Sequence, residues 1–280
     1  MRDLKIGFVT SVRLGLSCMK SILKSGIKIS LAITLPDNIA IKKSGRVFLD
    51  NICKKNRIPL IKVPKINSKN VIKIIKKNKI DWLFIIGWSQ IASKNLINAP
   101  KLGSIGAHPT LLPKGRGRAP IPWAILKNLK KTGVTLFKLD EGVDSGPIIK
   151  QQIIKINKKE NATNLYQKIE LAHVTLIKKF IPNLIKGGFK LKEQNESLSS
   201  YWPKRKPEDS EINLSGSVFK AERLIRAVTK PYPGAFYYKK EKKIIIWKAH
   251  ISKNKPNNKL FLSFKDGYLV CDTYQMVKKK

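Results

Sequence analysis

The chain begins with a short apolar run at residues 5–10 (KIGFVT) and then changes period. Leu16, Met19, Ile22 and Leu23 recur at three- and four-residue spacing, which predicts an amphipathic helix that stops at Gly26. Residues 27–35 (IKISLAITL) predict a second strand. Strand, helix and strand within about 30 residues make a βαβ opening and therefore a parallel sheet. A lysine-rich helix over 46–56, a strand over 58–63, a helix over 70–78 and a buried strand over 82–87 (WLFIIG) continue the alternation. The loop Gly87-Trp88-Ser89-Gln90 follows the carboxyl end of that last strand, the edge at which open parallel sheets bind ligands.

The stretch 103–150 is the densest in turn residues and in candidate chemistry. His108 stands in a Pro- and Gly-rich turn, His108-Pro109-Thr110-Leu111-Leu112-Pro113, followed by a basic turn, Lys114-Gly115-Arg116-Gly117-Arg118. Residues 119–126 read as helical and 132–139 (TGVTLFKL) as a strand, which runs into the acidic loop Asp140-Glu141-Gly142-Val143-Asp144-Ser145-Gly146. A lone histidine and loop carboxylates are the material of a His–Asp acid/base site.

A strand over 148–156 precedes a long helix with Thr163 as its expected N-cap. Its apolar face carries Leu165, Ile169, Ala172, Leu176 and Phe180, and Gly187-Gly188 closes it. His173, near that face, reads as a structural histidine. From Leu191 the composition turns polar, which places a domain boundary there: residues 1–195, then 196–280. The second part holds a helix over 218–228, a turn over 231–236 and strands over 243–248, 259–264 and 268–271. The predicted architecture is α/β, a parallel-sheet domain followed by a small β-rich module.

Composition narrows the functional classes. The 280 residues are 42% hydrophobic, as in an ordinary globular protein. No apolar run is long enough to span a bilayer, and the N-terminus lacks a signal-peptide pattern, so no membrane association is expected. Cys18, Cys53 and Cys271 lie far apart, which predicts neither a disulfide frame nor a zinc site and fits a cytoplasmic location. The net charge is +39, yet only nine of the 57 basic residues are Arg. Lysine spread along the whole chain reads as compositional bias, and it still favours anionic substrates. The first βα turn (TSVRLG, 10–15) has no GxGxxG pattern and the chain has no GxxxxGK[ST] loop, which argues against dinucleotide and ATP chemistry.

Two long motifs, HPTLLPKGRGRAPIPWAI…TGVTLFKLDEGVDSG and KRKPEDSEIN…LIRAVTKPYPGAF, resemble the formyltransferases that use 10-formyltetrahydrofolate. The second is similar to the methionyl-tRNA and amino-sugar branches. The resemblance covers nearly the whole chain and implies a Rossmann-like domain in which an amine attacks the formyl carbon and tetrahydrofolate leaves, without a metal. It assigns His108 as the catalytic histidine and Asp144 as the catalytic aspartate. The folate pocket is expected from Ile86, Gly87, Trp88, Ser89 and Gln90 and from Asp140, Glu141, Gly142 and Val143. Acceptor contacts are expected from Thr110, Leu112, Pro113, Arg116, Arg118 and Tyr232; the two arginines invite a phosphate-binding reading, while in the family this turn shapes the cleft.

One position departs from the family. Where its members usually carry an oxyanion-holding Asn, two residues before the histidine, this chain has Gly106. A substitute donor (a backbone N–H, a water, Gln90 or Thr110) or a catalytically weak protein are the open explanations. The connection at 36–46 lacks the basic Gly-rich loop of methionyl-tRNA formyltransferases, which points the resemblance to a nucleotide-linked amino sugar as acceptor. Initiator methionyl-tRNA, with the basic surface engaging tRNA, is the alternative, and a non-catalytic folate- or RNA-binding relative is a further one. The oligomeric state is left open by the sequence.

Overall fold

The structure is a computed structural model that describes residues 4–41 and 45–278. It forms two compact units. One comprises Met1–Gly117, Gly133–Ile154 and Ile169–Tyr201; the other comprises Arg118–Thr132, Lys155–Lys168 and Trp202–Lys280. Residues 42–44 of the connection discussed above lie outside the described residues, as do residues 1–3 and 279–280.

The first unit is built on a seven-stranded sheet. Its elements begin β1 (Ile6–Val9), α1 (Arg13–Lys24), β2 (Ile29–Thr34), α2 (Asp37–Ala40), α3 (Asp50–Lys55), β3 (Leu60–Lys62), α4 (Lys69–Lys77), β4 (Trp82–Ile86), α5 (Lys94–Ile97) and β5 (Gly103–His108). After β6 (Arg116–Gly117) the chain passes through α6 (Pro120–Leu126), which belongs to the second unit, and then come β7 (Lys131–Lys138), β8 (Ile148–Lys155) and α7 (Ala162–Lys186). Strand order is β3-β2-β1-β4-β5-β7-β8. The pairs β2–β3, β1–β2, β1–β4 and β4–β5 are parallel, as the alternating pattern predicts, whereas β7 runs antiparallel to β5. The interior strands are apolar on both faces, because helices cover a parallel sheet on each side; all of β1 is buried.

Helix α1 lies close against the sheet because Gly15 permits it. A Cβ there would stand 2.6 Å from the Ile86 carbonyl and 1.9 Å from Thr10 Oγ1. The lysine-rich helix is shorter than its pattern suggests, since only Asp50–Lys55 is helical. The N-cap of α7 is Asn161, whose Oδ1 accepts the Asn164 N–H at 2.9 Å. Thr163 lies inside the helix, and its hydroxyl donates to the Lys230 carbonyl.

In the second unit, β9 (Tyr201–Trp202) leads to α8 (Val218–Val228) and then to β10 (Ala235–Lys239), β11 (Lys242–Ser252), β12 (Phe261–Phe264) and β13 (Gly267–Lys278). The last four form an antiparallel sheet in the order β10-β11-β13-β12. β11 and β13 are longer than their apolar segments, because cross-strand pairing continues through polar residues on either side of an irregularity at Lys248. Among the described residues no helix is long and apolar enough to cross a membrane. The three cysteines are unpaired and buried, and burial pushes the Cys53 thiol up to about 11.

Candidate active site

His108 is the last residue of β5, a strand that the sequence pattern does not announce; the expected turn begins only after it. β5 is paired on both sides, with Gly106 opposite Ile85 of β4 and opposite Phe137 of β7. Strand alternation places Gly106 and His108 on one face. The imidazole is buried and bound at both nitrogens. Nε2 lies 2.9 Å from the Gly115 carbonyl and Nδ1 lies 3.3 Å from Asp144 Oδ2. Both partners are oxygen atoms, and the tautomer decides which ring nitrogen donates to which of them.

Asp144 adopts a left-handed conformation, φ 54°, uncommon for a residue other than glycine. Three interactions hold it there. Oδ2 accepts the Gly117 N–H at 2.9 Å, and the carbonyls of Asp144 and Gly146 accept the Gln194 amide at 2.8 and 2.7 Å. Gln194 Oε1 in turn accepts from Arg116 Nη2 at 2.8 Å. Arg116 is completely buried and makes a bidentate pair with Glu196, at 2.8 and 2.5 Å, together with a bond to the Tyr201 hydroxyl. The Glu196 carboxylate raises the pKa of Arg116, and Arg116 holds Glu196 below the usual carboxylate range.

This corrects the expectation that Arg116 meets a substrate phosphate: its guanidinium is sequestered as the peg of the basic turn. Arg118 is exposed and belongs to the second unit, as does Tyr232, whose phenol burial pushes to higher pKa.

The turn after His108 is pinned by Thr135 on β7. Its hydroxyl donates to the Thr110 carbonyl and accepts the Leu112 N–H, and Gln151 Nε2 donates to the Leu112 carbonyl. Leu112 is buried, and the Pro113 carbonyl accepts from Ser200. Thr110 is buried too, but its Oγ1 has no hydrogen-bond partner among the described residues. Of the side chains weighed as substitutes at Gly106, Gln90 is committed elsewhere. Its Oε1 accepts the Ile66 N–H at 2.9 Å and its Nε2 donates to the Pro64 carbonyl at 2.6 Å. The space beside Gly106 is apolar, since a Cβ there would stand 2.7 Å from Leu139 Cδ2 and 3.1 Å from the Phe137 ring.

The two loops expected to hold folate differ in character. Ile86 ends β4 fully buried, Gly87 turns the chain at φ 68°, and Ser89 is exposed. Trp88 packs against the apolar cluster that includes Val9, Leu31 and Leu83, while its indole N–H is buried without a partner among the described residues. In the second loop Asp140 Oδ1 accepts from the Ser145 hydroxyl at 2.9 Å and the Gly142 N–H at 3.2 Å. Glu141 pairs with Lys94 at 2.6 Å, and Val143 is exposed. Gln194, Thr135 and Ser200 escaped the sequence reading. Nothing in a polar residue's immediate neighbours announces a partner 23 to 85 positions away. Among the described residues no group of three or more His, Cys, Asp or Glu could hold a metal.

A family described as formyl transferase matches residues 38–181, and its C-terminal domain matches residues 204–277. The chain belongs to the formyl transferase family. A bifunctional polymyxin resistance protein ArnA from Wigglesworthia glossinidia brevipalpis is 38% identical over 251 residues, which cover 89% of this formyltransferase chain and 37% of that relative. The chain thus spans well under half of the ArnA relative's length. A methionyl-tRNA formyltransferase from Thermodesulfovibrio yellowstonii is 32% identical over 265 residues, covering 90% of this chain and 84% of that protein.

Among solved structures, a 4-N formyltransferase from Francisella tularensis superposes with a TM-score of 0.68 at 25% identity, covering 86% of this chain and 94% of that one. An N-formyltransferase from Helicobacter canadensis, in complex with folinic acid and dTDP-3-aminofucose, gives 0.70 at 23% identity, covering 97% and 100%. That second likeness is one of fold.

Proposed function

We propose that this protein transfers a formyl group from 10-formyltetrahydrofolate to a primary amine on a nucleotide-linked amino sugar, with His108 and Asp144 managing the protons. The observation that carries this reading is the His108–Asp144 pair at 3.3 Å, with the carboxylate fixed by the Gly117 N–H. The formyl donor supplies an electrophilic carbon attached to a nitrogen leaving group. The chain's task is to take a proton from the incoming amine and return one to the departing nitrogen. A neutral His108 imidazole takes the amine's proton, the Asp144 carboxylate balances the charge of the imidazolium so formed, and the ring returns a proton to the departing nitrogen.

The residues suit a folate. Trp88 offers a buried indole N–H without a partner, and the backbone at 86–90 and 140–144 lies in the two loops expected to hold the donor. The empty side chain at Gly106 leaves oxyanion stabilisation to other donors, for which the unpartnered Thr110 hydroxyl is our candidate. The amino-sugar acceptor is favoured by the short connection after β2, in which α2 is a single turn. Initiator methionyl-tRNA is the second reading, favoured by the methionyl-tRNA formyltransferase relative that matches over most of its length.

Release of tetrahydrofolate from 10-formyltetrahydrofolate decides between them, with nucleotide-linked 4-amino sugars and methionyl-tRNA offered in parallel and His108→Ala as the blank. Turnover with the amino sugar alone is the expected result. Turnover with methionyl-tRNA alone would move the function to the second reading, and silence with both amines would refute the proposal.

A further inference from the structure

A cleft of about 820 Å³ lies wholly within the second unit, and none of its lining residues belongs to the His108 constellation. Its walls are one stripe of α8, the segment 247–251 of β11 and the connections around 128–130 and 158–163. Helix α8 has two faces. Val218, Ala221 and Val228 are buried in the core of the unit, whereas Phe219, Glu222, Arg223 and Arg226, at i, i+3, i+4 and i+7, line the cleft together with the buried Ile225.

Charge is unevenly distributed there. Six cationic side chains (Lys130, Lys158, Lys159, Lys248, Arg223 and Arg226) face two carboxylates. Both carboxylates are engaged: Glu222 Oε1 accepts from Arg226 Nε at 2.7 Å, and Asp272 Oδ1 lies 2.8 Å from His250 Nδ1. What remains is a cationic wall of several side chains, a surface suited to a multiply charged anion. Arg223 adds a more specific sign, for its Nε is buried with no hydrogen-bond partner among the described residues. A buried donor left unmade is costly, which makes an anionic oxygen a favourable partner for this guanidinium.

The cleft also offers flat apolar faces. Phe219 is 57% exposed on a helix that has ample room for apolar residues on its other face, and Trp247 lines the same space from β11. Aromatic faces beside cations suit a planar ring linked to phosphate, and the volume is that of a site for a ligand of nucleotide size.

We propose that this cleft is a binding site for a nucleoside diphosphate, with its phosphates on Arg223 and the lysines and its base against Phe219 and Trp247. The site is separate from formyl transfer and stands whichever amine accepts the formyl group.

The test uses the full chain and uridine 5′-diphosphate, followed by calorimetry and by the tryptophan indole N–H resonances. The Trp247 signal is identified by its loss in Trp247→Phe. Saturable binding that shifts the Trp247 resonance is expected. Arg223→Gln should weaken it by about tenfold or more while melting temperature and tetrahydrofolate release stay unchanged. Inorganic pyrophosphate should bind more weakly than the nucleotide.

Four results overturn the proposal: no saturable binding; full affinity in Arg223→Gln; pyrophosphate as tight as the nucleotide, which would make this a simple anion site; or displacement of the nucleotide by a far tighter RNA stem-loop, which would give the cleft to nucleic acid.

Discussion

Asp144 Oδ2 serves two partners at once: it accepts the Gly117 N–H at 2.9 Å and stands 3.3 Å from His108 Nδ1. The first contact fixes the carboxylate, and the second ties its charge to the imidazole. Asp144→Asn separates the two, because the amide oxygen can still accept from Gly117 while the charge is gone. The expected outcome is a fall in kcat of about 100- to 10,000-fold, the range for losing acid/base assistance. Melting temperature should change little. A variant that keeps wild-type turnover in the tetrahydrofolate-release assay would remove Asp144 from the mechanism.

Gly106 presents a different relation to function. Leu139 Cδ2 stands 2.7 Å from where a Cβ would be, and the Phe137 ring 3.1 Å. Gly106→Asn therefore has to displace Leu139, and it should destabilise the protein by about 1–2 kcal/mol without raising kcat. Gly106→Asn with Leu139→Ala opens the space, and thermal unfolding should show that the second change costs less in the Asn background than alone. A gain of turnover in the single variant would show that the oxyanion lacks a donor in the native protein.

Much of the sheet was legible because it is written locally. The runs that became β1, β2 and β4 and the periodic face of α1 are short patterns whose partners only confirm them. β5 was missed for a physical reason: Gly103-Ser104-Ile105-Gly106-Ala107-His108 has one branched apolar residue and two glycines, so its strand state comes from pairing with β4 and β7. The histidine and aspartate stand out in the sequence because few residue types do acid/base work, and the structure sets them 3.3 Å apart. The burial of Arg116 is not legible locally, because Gln194, Glu196 and Tyr201, which enclose it, stand about 80 residues on.

That enclosure makes Gln194 a positioning residue. Its amide spans two carbonyls of the Asp144 loop on one side and Arg116 on the other. Gln194→Ala leaves those carbonyls and one guanidinium edge without partners, and it should cost roughly 2–4 kcal/mol. Because the loss acts through Asp144, kcat should fall while KM for the formyl donor changes less. Gln194→Glu distinguishes geometry from bulk. It keeps an acceptor for Arg116 but turns a carboxylate on two carbonyls, so it should fail as Gln194→Ala does. Full activity in Gln194→Glu would show that the bridge has no part in holding Asp144.

His173, in the middle of α7, gives the protein a predictable response to acid. Its Nδ1 faces the Ile169 carbonyl at 2.8 Å, and Nε2 is buried without a partner among the described residues. Burial is the larger effect and lowers its pKa from 6.5 to about 4, outweighing the carbonyl and Glu170, which act the other way. A histidine with a depressed folded-state pKa stays neutral in the native protein while the unfolded chain takes up a proton. Its contribution is therefore intact above about pH 6.5 and is lost as pH falls toward 4. The whole effect is about 3 kcal/mol across that window. His173→Leu removes the titration, so the stability difference between wild type and variant, measured by denaturant unfolding at several pH values, should shift against wild type from pH 6.5 down to 4. Since both proteins share every other titrating group, a difference that stays flat across the window would mean that His173 gains a proton in the folded state as readily as in the unfolded one.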